Sequence, residues 1–219
     1  MTVEIRYTTG VVELRAAEDG ITRLGGYALK FNKLSQNLGG FVERIAPGAL
    51  TKTLRDGGDV LCRYQHEDNY LLGRTSSGTL RLSVDDEGLL YEVDLPDTSY
   101  ARDLAALAGR GDVTKSSFAF HLMPGGDEWS LTESGFPLRT LTEFHLVDTA
   151  PVVNPAYLDT TSGLRSLAES RHLDFDSVRA AAESERLADL LRVDVQEDAP
   201  GETHAAAIAR KRLMLSMHF

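Results

Sequence analysis

Two serines, Ser116 and Ser117, stand side by side in the stretch VTKSSFAFHL. A serine hydroxyl attacks at neutral pH only when a base takes its proton, and the usual base is an imidazole held by a third group. With residues 115–122 extended, Ser116, Phe118, Phe120 and Leu122 share one face, and Lys115, Ser117, Ala119 and His121 share the other. The aromatic face is the natural core face. Ser116 then points inward, and Ser117 points outward or into a cleft beside the small Ala119.

Six histidines are available as the base. His172, His204 and His218 fall in a helical C-terminal region and read as solvated. His121 shares the face of Ser117 but lies four strand residues away, about 13 Å and beyond a direct hydrogen bond. His66 sits where the apolar run VLCRY gives way to QHEDN, a strand end from which a side chain reaches a cleft. In LTEFHLVD, Thr142, Phe144 and Leu146 take one face and Glu143, His145 and Val147 the other. A carboxylate and an imidazole on one face offer an orienter for His66. Other chemistries are weaker. Cys62 shares a strand with His66 and reads as a core residue, no His/Cys/Asp cluster has metal-ligand spacing, and no G-x-S-x-G elbow occurs.

The elements that must position these groups read as β-rich over the first two-thirds. VVELRAA and ITRLGGYALKF flank the turn EDG, and TLRLSVDDEGLLYEVDLP is a second hairpin. FVERI and DVLCRY are short strands, and PLRTLTEFHLVDTAPVV reads as one long strand. APGALTKTLRDGG and DTSYARDLAALAGRGD carry helical start and stop signals. Many short strands with two short helices favour a barrel or sandwich over a parallel α/β fold. After about Thr160 the chain becomes rich in Ala, Leu, Arg and Glu, with the break EDAPGE before a last amphipathic segment. A length of 219 residues suits one good core with an appendage. The net charge of -10 offers no basic patch for nucleic acid, and no apolar run is long enough to span a bilayer. A single cysteine and no signal-like N-terminus fit a reducing compartment.

In their order and spacing, GYALKFN, FVERIAPGAL, VLCRYQHEDNYLLGRTSSGTLRLSVDDEGLLYEVDLPDT, SSFAF and LTEFHLVDTAPVVNPAY resemble the prohead maturation proteases of tailed bacteriophages. Those proteases are relatives of the herpesvirus assemblins, and the resemblance spans residues 5–160. It implies a mainly β (α+β) fold with a herpesvirus-protease-like closed barrel. A protease domain would cover 1–160, and a helical tail over 161–219 is a candidate for self-cleavage. It also implies a serine endopeptidase with Ser117 as nucleophile, His66 as base and Glu143 as third member. His145 is the alternative, because assemblins use a second histidine. No paired arginines follow Glu143, so the oxyanion-stabilising group is unassigned. The implied partners are the major capsid protein and a scaffolding protein, inside the procapsid in the host cytoplasm. Self-association is left open, and no cofactor, membrane or direct nucleic-acid contact is implied. The main rival is a non-catalytic assembly or scaffolding factor with the same fold. In either reading Leu187, Leu190 and Leu191 are expected to dock partners.

Overall fold

A computed structural model describes residues 3–8, 12–16, 20–153 and 161–192. The strands are β1 (Glu4–Thr8), β2 (Glu13–Ala16), β3 (Thr22–Lys30), β4 (Val42–Ile45), β5 (Leu61–Arg63), β6 (Leu71–Arg74), β7 (Leu80–Val84), β8 (Gly88–Asp94), β9 (Lys115–Leu122), β10 (Asp127–Leu131), β11 (Pro137–Leu141) and β12 (Phe144–Val152). The helices are α1 (Thr51–Arg55), α2 (Ser99–Arg110), α3 (Thr161–Ser170), α4 (Phe175–Glu183) and α5 (Leu187–Arg192).

Local chemistry sets the turns. Asp85 accepts the backbone N–H groups of Glu87 and Gly88 at 2.8 and 3.0 Å, which reverses β7 into β8. The expected hairpins β2–β3 and β7–β8 join one four-stranded sheet, ordered β2-β3-β8-β7. A five-stranded sheet, β1-β9-β12-β5-β6, carries both serines, and β10-β11-β4 form a third. Among the described residues none of the three sheets closes on itself, so the expected closed barrel is not seen.

The stretch expected as one long strand is two. The chain turns at Thr142 and Glu143, whose N–H groups both donate to the Gly126 carbonyl, at 2.8 and 3.0 Å. A side chain at 126 could not fit there, because its Cβ would lie 2.0 Å from the Glu143 oxygen. This corner sends β11 to the third sheet and β12 to the five-stranded one.

The main apolar core gathers Phe118, Phe120 and Phe144 with Leu24, Leu89 and Leu104. Leu38 and Phe41 form a second core with Leu164, Leu167, Val178, Leu187, Leu190 and Leu191 of the C-terminal helices. Phe41 meets Trp129 edge-on at 4.9 Å, and α3 approaches so closely that a Cβ on Gly163 would lie 2.6 Å from the Phe41 ring. A fully buried leucine such as Leu167 contributes about 2 kcal/mol. Helices α3–α5 therefore share a core with Leu38 and Phe41, and the three leucines expected to dock partners are buried in it. The EDAPGE break and the last amphipathic segment lie outside the described residues.

Beneath the aromatic face of β9 lies a buried charge network. Arg6 and Glu4 of β1 pair in register with Phe118 and Phe120, so their side chains share that face. Arg139 has no exposed surface and reaches Asp127, Glu4 and Glu43 at 2.6, 2.8 and 2.9 Å. Arg6 reaches Glu43 and Glu4 at 2.8 Å each. Burial opposes the charge on Arg139, and the carboxylates of Glu4, Glu43 and Asp127 outweigh it and raise its pKa.

Candidate active site

Ser117 lies in mid-β9, opposite Tyr7 of β1 on one side and Ala150 of β12 on the other. Ser116 takes the core face and meets the Tyr91 hydroxyl at 3.1 Å. Both serines have no exposed surface. Ser117, expected outward or in a cleft, faces a side chain instead. That neighbour is His66, whose Nε2 lies 2.6 Å from the Ser117 Oγ.

His66 reaches this position through an unusual backbone. After β5 a 3-10 turn runs Tyr64–His66, with Gln65 at φ 59° and His66 at φ 60°. Two successive left-handed, non-glycine residues cost about 1–2 kcal/mol each. The turn closes through the Glu67 N–H donating to the Tyr64 carbonyl at 3.1 Å. The outcome is an imidazole that leaves the strand direction and lies over β9 and β12.

The Nδ1 of His66 is 2.8 Å from the Oδ1 of Asp148. Both ring nitrogens are thus occupied, one by a hydroxyl and one by a carboxylate. Neither residue expected as third member is there. Glu143 sits at the β11–β12 corner, half exposed, and pairs with Lys52 at 3.1 Å. His145 is exposed opposite His121, and its ring packs on Gly58, where a Cβ would lie 2.9 Å from it.

The physical reason is a bulge. Phe144, His145 and Leu146 pair with Leu122, His121 and Phe120, and then Asp148 pairs with Ala119, so Val147 is the extra residue. Unbroken alternation would place Asp148 with Phe144 and Leu146, in the core. The bulge turns it to the face of Ala119 and Ser117. A signal was nevertheless present: a lone acid in the apolar run LVDTAPVV is costly to bury unless something pairs with it.

Asp148 has no exposed surface and accepts from Arg63 through its other oxygen, with Arg63 Nε at 2.5 Å from Oδ2. Burial works against the Arg63 charge, and Asp148 and Asp68 outweigh it and raise its pKa. Cys62 is fully buried in the main core, and burial pushes its thiol up to about 12, so it supplies no thiolate at neutral pH. Among the described residues no group of three His, Cys, Asp or Glu side chains could hold a metal ion.

The arrangement can pass a proton. With Nδ1–H donated to Asp148, Nε2 is the acceptor for the Ser117 hydroxyl. A second acceptor is close by, because the Arg6 carbonyl lies 2.7 Å from the same Oγ. One hydroxyl hydrogen cannot serve both.

A family model described as caudovirus prohead serine protease matches residues 10–173. Among solved structures, the capsid assembly protease gp21 of bacteriophage T4 aligns with a TM-score of 0.47 and 14% identity, covering 69% of this chain and 97% of its own. A search of curated proteins returned no match.

Proposed function

The chain belongs to the caudovirus prohead serine protease family, and on that premise we propose that it is a serine endopeptidase acting within the procapsid. Its substrates are segments of the scaffold and the major capsid protein. Ser117 attacks the peptide carbonyl, and His66 takes the hydroxyl proton and returns it to the leaving amine. Asp148 holds the imidazole in the required tautomer and stabilises the imidazolium. The observation that carries this reading is the unbroken run from Asp148 through His66 to Ser117, at 2.8 and 2.6 Å. Expected roles for Glu143 and His145 fall away, because no ring nitrogen of His66 is left for either.

The test is co-expression with the cognate major capsid protein, comparing wild type with Ser117→Ala by intact mass. Shortened capsid protein is expected with wild type alone. Uncut capsid and scaffold proteins in both cultures overturn the reading.

Self-processing is part of the proposal. Release at residue 160 would strip Leu164, Leu167 and Leu187 from the second core, so the cut is placed beyond Arg192. Purified wild type should then lose C-terminal mass on incubation, and Ser117→Ala should not.

One observation favours the non-catalytic assembly factor: Ser117 has no exposed surface and has the Arg6 carbonyl as a second partner. In the protease reading the Ser117 hydroxyl hydrogen turns from the Arg6 carbonyl to the Nε2 of His66, which lies 2.6 Å from the same Oγ. The co-expression experiment separates the two.

A further inference from the structure

One partly buried cation, Arg63, has no part in the proposed mechanism. Arg63 sits at the irregularity where β5 breaks register with β6, between Cys62 and Arg63. Its side chain is 14% exposed and turns toward Asp148. Both Nε, at 2.5 Å, and a terminal nitrogen donate to the same oxygen, Oδ2, while Oδ1 is left to His66. The other terminal nitrogen pairs with Asp68, whose side chain is 88% exposed.

We propose that Arg63 is a positioning residue for the His66–Asp148 pair, and this rests on the triad reading above. A carboxylate on a single Cα–Cβ bond can rotate, and each rotation swings Oδ1 off the imidazole. A guanidinium fork is planar and directional, so anchoring Oδ2 at two donors stops that rotation. The fork also compensates a carboxylate that has no contact with water. Asp68 tethers the far end of the guanidinium from an exposed position and adds little by itself. The orientation of His66, set against an unfavourable left-handed backbone, is therefore held from the side chain as well as from the chain.

Arg63→Met and Arg63→Lys test this by two readouts. The first is kcat and KM on a capsid-derived peptide. The second is the downfield proton resonance of the imidazole N–H shared with Asp148, identified by its loss in His66→Gln. Arg63→Met is expected to lower kcat by about 10- to 100-fold with KM nearly unchanged, as a misplaced reacting group does, and to abolish the resonance. Arg63→Lys keeps the charge without the fork and is expected to be intermediate in both.

A merely structural arginine would change the melting temperature and leave both readouts intact in the folded fraction. Either variant matching wild type in kcat and resonance overturns the proposal, as does a loss confined to KM. Arg63→Lys decides it should Arg63→Met fail to fold. If wild type cleaves nothing, the protease reading fails, yet the resonance still reports on Arg63: retained in Arg63→Met it overturns the positioning role, lost it supports it.

Discussion

Two buried polar networks lie on opposite faces of β9, and they differ in how they end. Under Phe118 and Phe120, Glu4, Arg6, Glu43, Asp127 and Arg139 each meet an opposite charge, so the network is closed in charge. On the other face Arg63 and Asp148 also pair, but the chain continues into an imidazole and stops at a hydroxyl. The first set is as dry as the core around it, and the second is nearly so, with Asp148 and Ser117 fully buried. Burial of charge alone therefore does not mark a reactive site. What sets the second network apart is an imidazole between a carboxylate and a hydroxyl, a base able to take the hydroxyl proton while the carboxylate compensates the imidazolium. The closed network joins β1, β4, β10 and β11 into one body, and Asp127 extends it to Ser166 of α3 at 2.6 Å.

The sharpest break in this contrast is at the open end. Ser117→Ala and His66→Ala are each expected to lower cleavage by at least ~10^4-fold, to nearly the same floor, because triad members act as a unit. Melting temperatures should stay within a few degrees of wild type. A cleavage assay with matched thermal unfolding checks both. Next comes Asp148→Asn, expected to cost about 10^3- to 10^4-fold in kcat by favouring the wrong tautomer. Asp127→Asn in the closed network should leave kcat of the folded protein near wild type. Equal kcat losses in the two variants would show that the two networks do not differ in function.

Arg139→Met probes the closed network by stability rather than rate. It leaves three carboxylates facing one remaining guanidinium, and breaking a buried pair this way costs about 3–5 kcal/mol. Denaturant titration reads this loss, and activity per folded molecule should persist. The smallest effect belongs to Glu143→Gln, which removes an ion pair between half-exposed partners and should change stability by less than about 1 kcal/mol. Its cleavage rate should match wild type. A loss comparable to that of Asp148→Asn would return the third role to Glu143.

Much of the site was legible because it depends on local periodicity. Two-residue alternation separated Ser116 from Ser117 correctly by face, since β9 runs without a bulge from Lys115 to Leu122. The strand-end reading of His66 fits its place at the end of the short 3-10 turn that follows β5. The hairpins and the presence of both short helices in the first two-thirds followed from turn and stop signals, although neither helix has a side-chain cap at its start. The third member was not legible in the same way. Alternation assigns Asp148 to the core face, and one unpaired residue at Val147 reverses that assignment for the rest of β12.

By itself, then, the sequence determined the β-rich character, the hairpins, the family resemblance and the face of Ser117, which depends only on the phase of its own strand. The tertiary structure decided which carboxylate meets the imidazole, that Glu143 sits at a corner held by Gly126, and that the C-terminal helices share a core with Phe41. It also decided that β1 lies against the strand of Ser117. Each of these rests on pairing between segments far apart in the chain, and the register of such pairing is set by packing and bulges rather than by any local spacing.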